Sequence, residues 1–100
     1  MTFRTASALL RDDYYLRLAR DLRKGTRLRK IGCDKLALIR AVQRLPERVP
    51  AALTAVISQQ DLDRARDLAN EIEYYLGMGR LVYDYAPVQI SLHGSYGSRQ

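Results

Sequence analysis

A few residues in this chain have the side chains that chemistry needs. Asp84, His93 and Ser95 hold the carboxylate, imidazole and hydroxyl of a hydrolytic triad. Such a set works only when the hydroxyl sits on a sharp turn beside oxyanion donors. No nucleophile-elbow pattern surrounds Ser95, and all three residues fall in a stretch that reads as a tail, so they are read as unrelated polar residues. Cys33 is the only cysteine and His93 the only histidine, which leaves no intramolecular disulfide and no Cys/His zinc site. Cys33 stands next to an expected helix start, a place that favours thiolate, but a lone cysteine reads more simply as packing. Gly77 and Gly79 are not followed by the Gly-Lys-Ser/Thr of a phosphate loop. The chain is therefore expected to be non-catalytic, with no metal, no cofactor and no small-molecule substrate of its own.

Binding chemistry is better represented. In RDLRKGTRLRKIGCDKLALI, residues 20–39, the cations Arg20, Arg23, Lys24, Arg27, Arg29 and Lys30 crowd around Gly25. They have the spacing to straddle phosphates, with Tyr14 and Tyr15 available for stacking. The plainer reading is a solvated helix end, where positive charge also suits the C-terminal dipole. A helix-turn-helix over residues 34–57 fails because its turn carries two prolines and its second helix would offer only Ala, Leu and Val to the bases.

The charge is unevenly placed. Residues 1–50 carry 13 Lys/Arg against 5 Asp/Glu, residues 51–100 carry 4 against 6, and the whole chain is +6. A basic half implies an acidic partner: nucleic acid, anionic lipid or an acidic protein surface. Arginine outnumbers lysine 14 to 3, a bias that a GC-rich genome produces without functional meaning.

The elements that must position these residues are legible from periodicity. At 100 residues and 47% hydrophobic, the chain is expected to form one globular domain, and no apolar run approaches the roughly 18 residues of a membrane span. The N-terminus lacks a secretory apolar region, and Asp12 with Asp13 argues against a transit peptide, so it reads as mature sequence. Leu10, Tyr14, Leu18 and Leu22 recur every fourth residue, which predicts one helix over residues 6–24 stopped by Gly25. Asp34 is the expected cap of a second helix with Leu38, Ala41, Val42 and Leu45 on one face. Pro46 and Pro50 should kink it, with a short buried helical piece over residues 50–57.

Ser58 followed by Asp61 reads as a capping box for a third helix, in which Leu62, Ala65, Leu68, Ala69, Ile72 and Leu76 repeat at three and four residues before Gly77. Its outer face pairs Asp61 with Arg64, Asp63 with Arg66 and Arg64 with Asp67. The expected fold is all-α: a three-helix bundle over residues 1–79, its second helix Pro-kinked, with Leu18, Leu22, Leu38, Val42, Leu62, Ala69, Ile72 and Leu76 in the core. An extended docking tail completes the chain over residues 80–100. Its alternation of Leu81, Tyr83 and Tyr85, resumed after Pro87 by Val88, Ile90 and Leu92, fits either a hairpin or a segment lying on another surface. The second reading predicts that a chain cut at residue 79 still folds.

The basic stretch, together with the segments C-terminal to it, resembles the small three-helix alpha-subcomplex accessory subunit of mitochondrial respiratory complex I, the NADH:ubiquinone oxidoreductase. IGCDKLALI matches that family's isoleucine, short polar cap and Lys-Leu-Ala-aliphatic run through Ile31, Lys35, Leu36 and Ala37. Pro46, the Gln59/Gln60 turn and the helix from Leu62 to Leu76 match its later elements, and Arg80, Tyr85 and Pro87 its aromatic, proline-containing extension. The resemblance spans about residues 20–88. The family's tail is rich in tryptophan, whereas this chain has none.

The resemblance implies a non-catalytic subunit that supports assembly or stability of the complex's matrix arm. It would be peripheral to the inner mitochondrial membrane on the matrix side. Arg23, Lys24, Arg27, Arg29, Lys30, Tyr83, Tyr85 and Pro87 would dock against neighbouring protein subunits. A small basic nucleic-acid-binding module is the alternative.

Overall fold

A computed structural model of the chain describes residues 2–25 and 27–84. In chain order they form helices α1 (Arg4–Arg11) and α2 (Asp13–Arg23), strand β1 (Arg29–Gly32), helix α3 (Cys33–Gln43), a single 3₁₀ turn (Ala51–Leu53), helix α4 (Gln59–Gly77) and strand β2 (Leu81–Asp84). The architecture is mostly helical, as expected. It differs from the expected three-helix bundle in having four α-helices among the described residues and a small sheet.

The single helix expected over residues 6–24 is two helices, divided at Asp12. Asp12 leaves the helical region (φ −84°, ψ 111°), and its carboxylate accepts the Tyr14 amide at 2.9 Å. A carboxylate that can satisfy the orphan amides of a new helix competes with continuing the old one. α1 and α2 bury apolar residues in the same core, Ala6 and Leu9 from one and Tyr15, Leu18, Ala19 and Leu22 from the other, so of the expected four-residue repeat Leu18 and Leu22 are buried while Leu10 and Tyr14, on either side of the break, pack at the edge.

The expected turn after Gly25 is in part a strand. β1 pairs in parallel with β2, in the register Arg29 with Leu81, Lys30 with Val82, Ile31 with Tyr83 and Gly32 with Asp84. Parallel pairing needs a long crossover, which α3, the 3₁₀ turn and α4 supply. Ile31 and Leu81 are buried in the common core, and Tyr83 packs at its margin. The first residues of the expected docking tail, Leu81–Asp84, are thus paired with the body, where the expectation laid them on another surface. Tyr85 and Pro87, and with them the choice between hairpin and extended tail, lie outside the described residues, as do His93 and Ser95.

α3 begins one residue after Gly32, which holds the N-cap position, so Asp34 falls in the first turn instead of capping it. The helix is not kinked by Pro46. It ends at Gln43, because residues preceding proline are driven out of the helical region. The piece expected to be buried over residues 50–57 is a connection in which Ala51, Ala52, Ala55 and Val56 are exposed. It is pinned by buried Leu45 and Ile57 and by the Gln59 amide, which donates to the Glu47 carbonyl at 2.7 Å and accepts from the Val49 N–H at 2.8 Å.

α4 agrees with expectation over its length and is the central element, in contact with α1, α2, α3 and β2. Ser58 Oγ accepts the Asp61 amide at 3.1 Å. The stop is Gly79, at φ +78°, not Gly77. The Gly79 and Arg80 amides close back on the Leu76 and Tyr75 carbonyls in a Schellman turn that aims the chain into β2. Of the expected core, Leu18, Leu22, Val42, Leu62, Ala69 and Ile72 are buried, while Leu38 and Leu76 pack at its edge. On its outer face the Asp61–Arg64 pair forms at 3.3 Å. Asp63 instead accepts from Gln59, and Arg66 donates to the Leu45 carbonyl.

Candidate functional site

The basic stretch occupies the end of α2, the turn after it and β1. Gly25 takes φ +71°, a conformation costly for any residue with a Cβ, and its amide donates to the Leu22 carbonyl at 3.1 Å. That turn presents Lys24, Arg27, Leu28, Arg29 and Lys30 to solvent in close succession.

Two of the five expected docking cations are already engaged. Arg23 grips Glu71 of α4 through two hydrogen bonds, Nε to Oε2 and Nη2 to Oε1, and this bonding raises the guanidinium's pKa further. Arg29 lies 3.5 Å from the Asp21 carboxylate. Lys24, Arg27 and Lys30 are exposed and enter no ion pair among the described residues. Leu28, 60% exposed, stands between Arg27 and Arg29.

The tyrosines read as stacking partners have structural duties. Tyr15 is fully buried, its hydroxyl donates to the Lys35 carbonyl at 3.2 Å, and burial pushes its pKa up to about 12. Tyr14 is half-buried, meets Tyr15 edge to face at 5.3 Å and donates to the Lys30 carbonyl at 3.3 Å. Burial raises its pKa as well, against the opposing effect of Arg29. The Lys35 ammonium lies 4.4 Å from the Tyr14 ring centroid and 3.3 Å from Asp12. A base could not stack on Tyr15 without opening the core.

A groove of about 300 Å³ lined by Tyr14, Arg17, Leu18, Arg20, Asp21 and Arg29 adjoins the basic face. Another, about 330 Å³, lies between the 44–58 connection and α4 and is lined by Glu47, Arg48, Gln59, Asp63 and Arg66. Both mix charges of the two signs. Cys33 is half-buried at the first position of α3. Among the described residues no group of three or more His, Cys, Asp or Glu could hold a metal ion, and no helix is long and apolar enough to cross a membrane.

Two contacts at this face had no marker in the sequence. The Arg23–Glu71 grip joins residues 48 positions apart, and Arg80 reaches back beneath the turn, its guanidinium 5.2 Å from the Tyr75 ring centroid. The first depends on how α2 and α4 dock, which periodicity within either helix does not specify, and the second on the turn that ends α4. No protein-family model, curated protein or solved structure matches the chain.

Proposed function

We propose that the chain is a non-catalytic docking subunit whose α2–β1 face binds an acidic protein surface within a larger assembly. The observation that carries this reading is Leu28. It stands exposed among Lys24, Arg27 and Lys30, three cations with no ion pair among the described residues. An exposed apolar side chain in a basic segment suits a protein interface, with desolvated apolar contact at the centre and charge at the rim. The sequence resemblance supplies the assembly: the matrix arm of mitochondrial complex I, with Tyr83, Tyr85 and Pro87 as further docking residues.

The same uncompensated cations favour a second reading, a nucleic-acid-binding module. The two separate by experiment. A docking subunit sediments from detergent-solubilised mitochondrial membranes with the NADH-oxidising assembly, and charge reversal at Lys24, Arg27 and Lys30 releases it. A nucleic-acid-binding module instead binds arbitrary single strands with an affinity that falls steeply with salt, because each phosphate contact releases counterions. Absence from the assembly, together with salt-dependent strand binding at physiological ionic strength, would replace the first reading with the second.

A further inference from the structure

Five large apolar side chains stand exposed among the described residues, and three of them gather at one end of the molecule: Leu28 at 60%, Tyr74 at 62% and Met78 at 52%. The backbone brings them there. The Met78 amide donates to the Tyr74 carbonyl at 3.0 Å, so the two lie one turn apart on the same side of α4. The chain then turns at Gly79, and the Arg80 carbonyl accepts the Arg29 amide at 3.0 Å, which sets Leu28, one residue before β1, beside the end of α4. Single exposed apolar residues are ordinary. Three at one end, from separate elements, make a surface.

The charge around that surface is basic. Arg27 and Arg29 flank Leu28 in sequence, and Lys30 follows on the same side of the extended chain as Leu28, opposite buried Ile31. The carboxylates in the last turns of α2 and in the C-terminal half of α4 face cations within the fold: Asp21 lies 3.5 Å from Arg29, Glu71 accepts from Arg23, and Glu73 accepts from Arg40. The exposed Asp67 of α4 stands roughly 10 Å along the helix from Tyr74.

We propose that this end of the molecule binds the surface of an anionic lipid bilayer, with Leu28, Tyr74 and Met78 entering the interface and Arg27, Arg29 and Lys30 among the headgroups. The cations need no partner while solvated. Their effect is that a negative surface potential draws them in, which adds to the insertion of the apolar side chains. A bilayer interface takes such side chains from separate elements without a matching shape, and neither groove described above is formed by any of the three. Leucine and methionine supply apolar chains, and tyrosine supplies an apolar ring with a polar tip, suited to the membrane–water boundary. The binding is a property of the isolated chain and does not rest on the docking reading, although Leu28 would serve both.

The test is co-sedimentation of the intact purified chain with vesicles of phosphatidylcholine alone and of phosphatidylcholine mixed with phosphatidylserine, at physiological ionic strength. The expected result is partition onto the mixed vesicles at least about tenfold stronger than onto the neutral ones. Tyr74→Ser combined with Met78→Ser leaves every charge in place and should weaken that partition at least about tenfold, as should Leu28→Ser. All three side chains are exposed, so the fold should be retained. Val56→Ser, in the connection that leads into the other end of α4, should bind like the parent. Because the chain has no tryptophan, Met78→Trp gives a single reporter whose emission should shift to the blue on mixed vesicles, whereas that of Val56→Trp should not. A double variant that binds like the parent, or Met78→Trp emission that does not move, overturns the proposal and leaves attraction by charge alone. A parent chain that ignores the mixed vesicles also overturns it, and if Leu28→Asp then still displaces the chain from the membrane assembly, an acidic protein surface is the sole occupant. Absence of the parent from that assembly, with vesicle binding intact, removes the docking reading and leaves this one standing.

Discussion

Arg23 and Glu71 form a two-pronged ion pair that ties the last turn of α2 to the C-terminal half of α4, with Nη2 to Oε1 at 2.7 Å. The Arg23 side chain is 57% exposed, so the pair's Coulomb energy is largely screened and its stabilising effect is small. A double-mutant cycle with Arg23→Gln and Glu71→Gln in urea should give a coupling energy below about 1 kcal/mol. The pair's larger consequence is local: it withdraws one cation from the basic face. A coupling above about 2 kcal/mol would mean that the contact supports the fold and not merely the face.

Leu81 is 1% exposed and Ile72 fully buried, in one continuous core. Leu81→Ala and Ile72→Ala should each cost about 2 to 5 kcal/mol in denaturant unfolding, the range for emptying a buried aliphatic site. The Leu81 result carries more information, because it places β2 in the domain's own packing. If Leu81→Ala costs less than about 0.5 kcal/mol, as a surface change would, the strand is peripheral and the chain cut at residue 79 should fold after all.

Asp12 couples the α1–α2 break to pH. Its hydrogen bond from the Tyr14 amide, and secondarily Lys35, hold its carboxyl below the usual carboxylate range, against desolvation. A lowered folded-state pKa contributes stability that is fully present above the ordinary carboxylate range and is lost as pH falls through the folded value. Asp12→Asn keeps a capping oxygen without the charge, so it should lower the unfolding midpoint less than Asp12→Ala and flatten the acid limb of stability against pH. Identical midpoints for the two variants would show that the cap contributes nothing.

Tyr15 gives the opposite limb. Its folded pKa, raised by burial to about 12, lies above the unfolded value near 10. The corresponding stability is present below pH 10 and disappears as pH rises from there toward 12. Absorbance titration at 295 nm should find one tyrosine whose ionisation coincides with loss of far-UV helix signal, and Tyr15→Phe should remove that coincidence. A Tyr15→Phe chain with the same alkaline midpoint as the parent would contradict the assignment.

The helical character and much of the core were legible because periodicity reports burial directly. Leu62, Ala69 and Ile72 mark the inward face of α4, and Ser58 its start. What escaped was local competition and long-range pairing. Asp12 breaks a helix whose apolar repeat in sequence, Leu10, Tyr14, Leu18 and Leu22, runs on past it, so only the capping geometry reveals the division. β1 is four residues long, too short for alternation to distinguish from a turn, and exists because β2 lies beside it across a crossover. The basic face was visible as composition. Which of its cations are free was not, since Glu71 and Asp21 occupy Arg23 and Arg29 through tertiary contacts. The expected docking residues Tyr85 and Pro87 lie outside the described residues.

The docking account rests on Leu28, and one substitution addresses it. Leu28→Asp puts a negative charge at the centre of the face while leaving the buried core untouched, so circular dichroism and the unfolding midpoint should match the parent. The deciding measurement is the fraction of epitope-tagged chain that co-migrates with the NADH-oxidising assembly on native gels of solubilised mitochondrial membranes. Parent chain in the assembly, with at least a tenfold loss for Leu28→Asp, is the predicted result. Equal co-migration of the two chains, or absence of both from the assembly, would contradict the account.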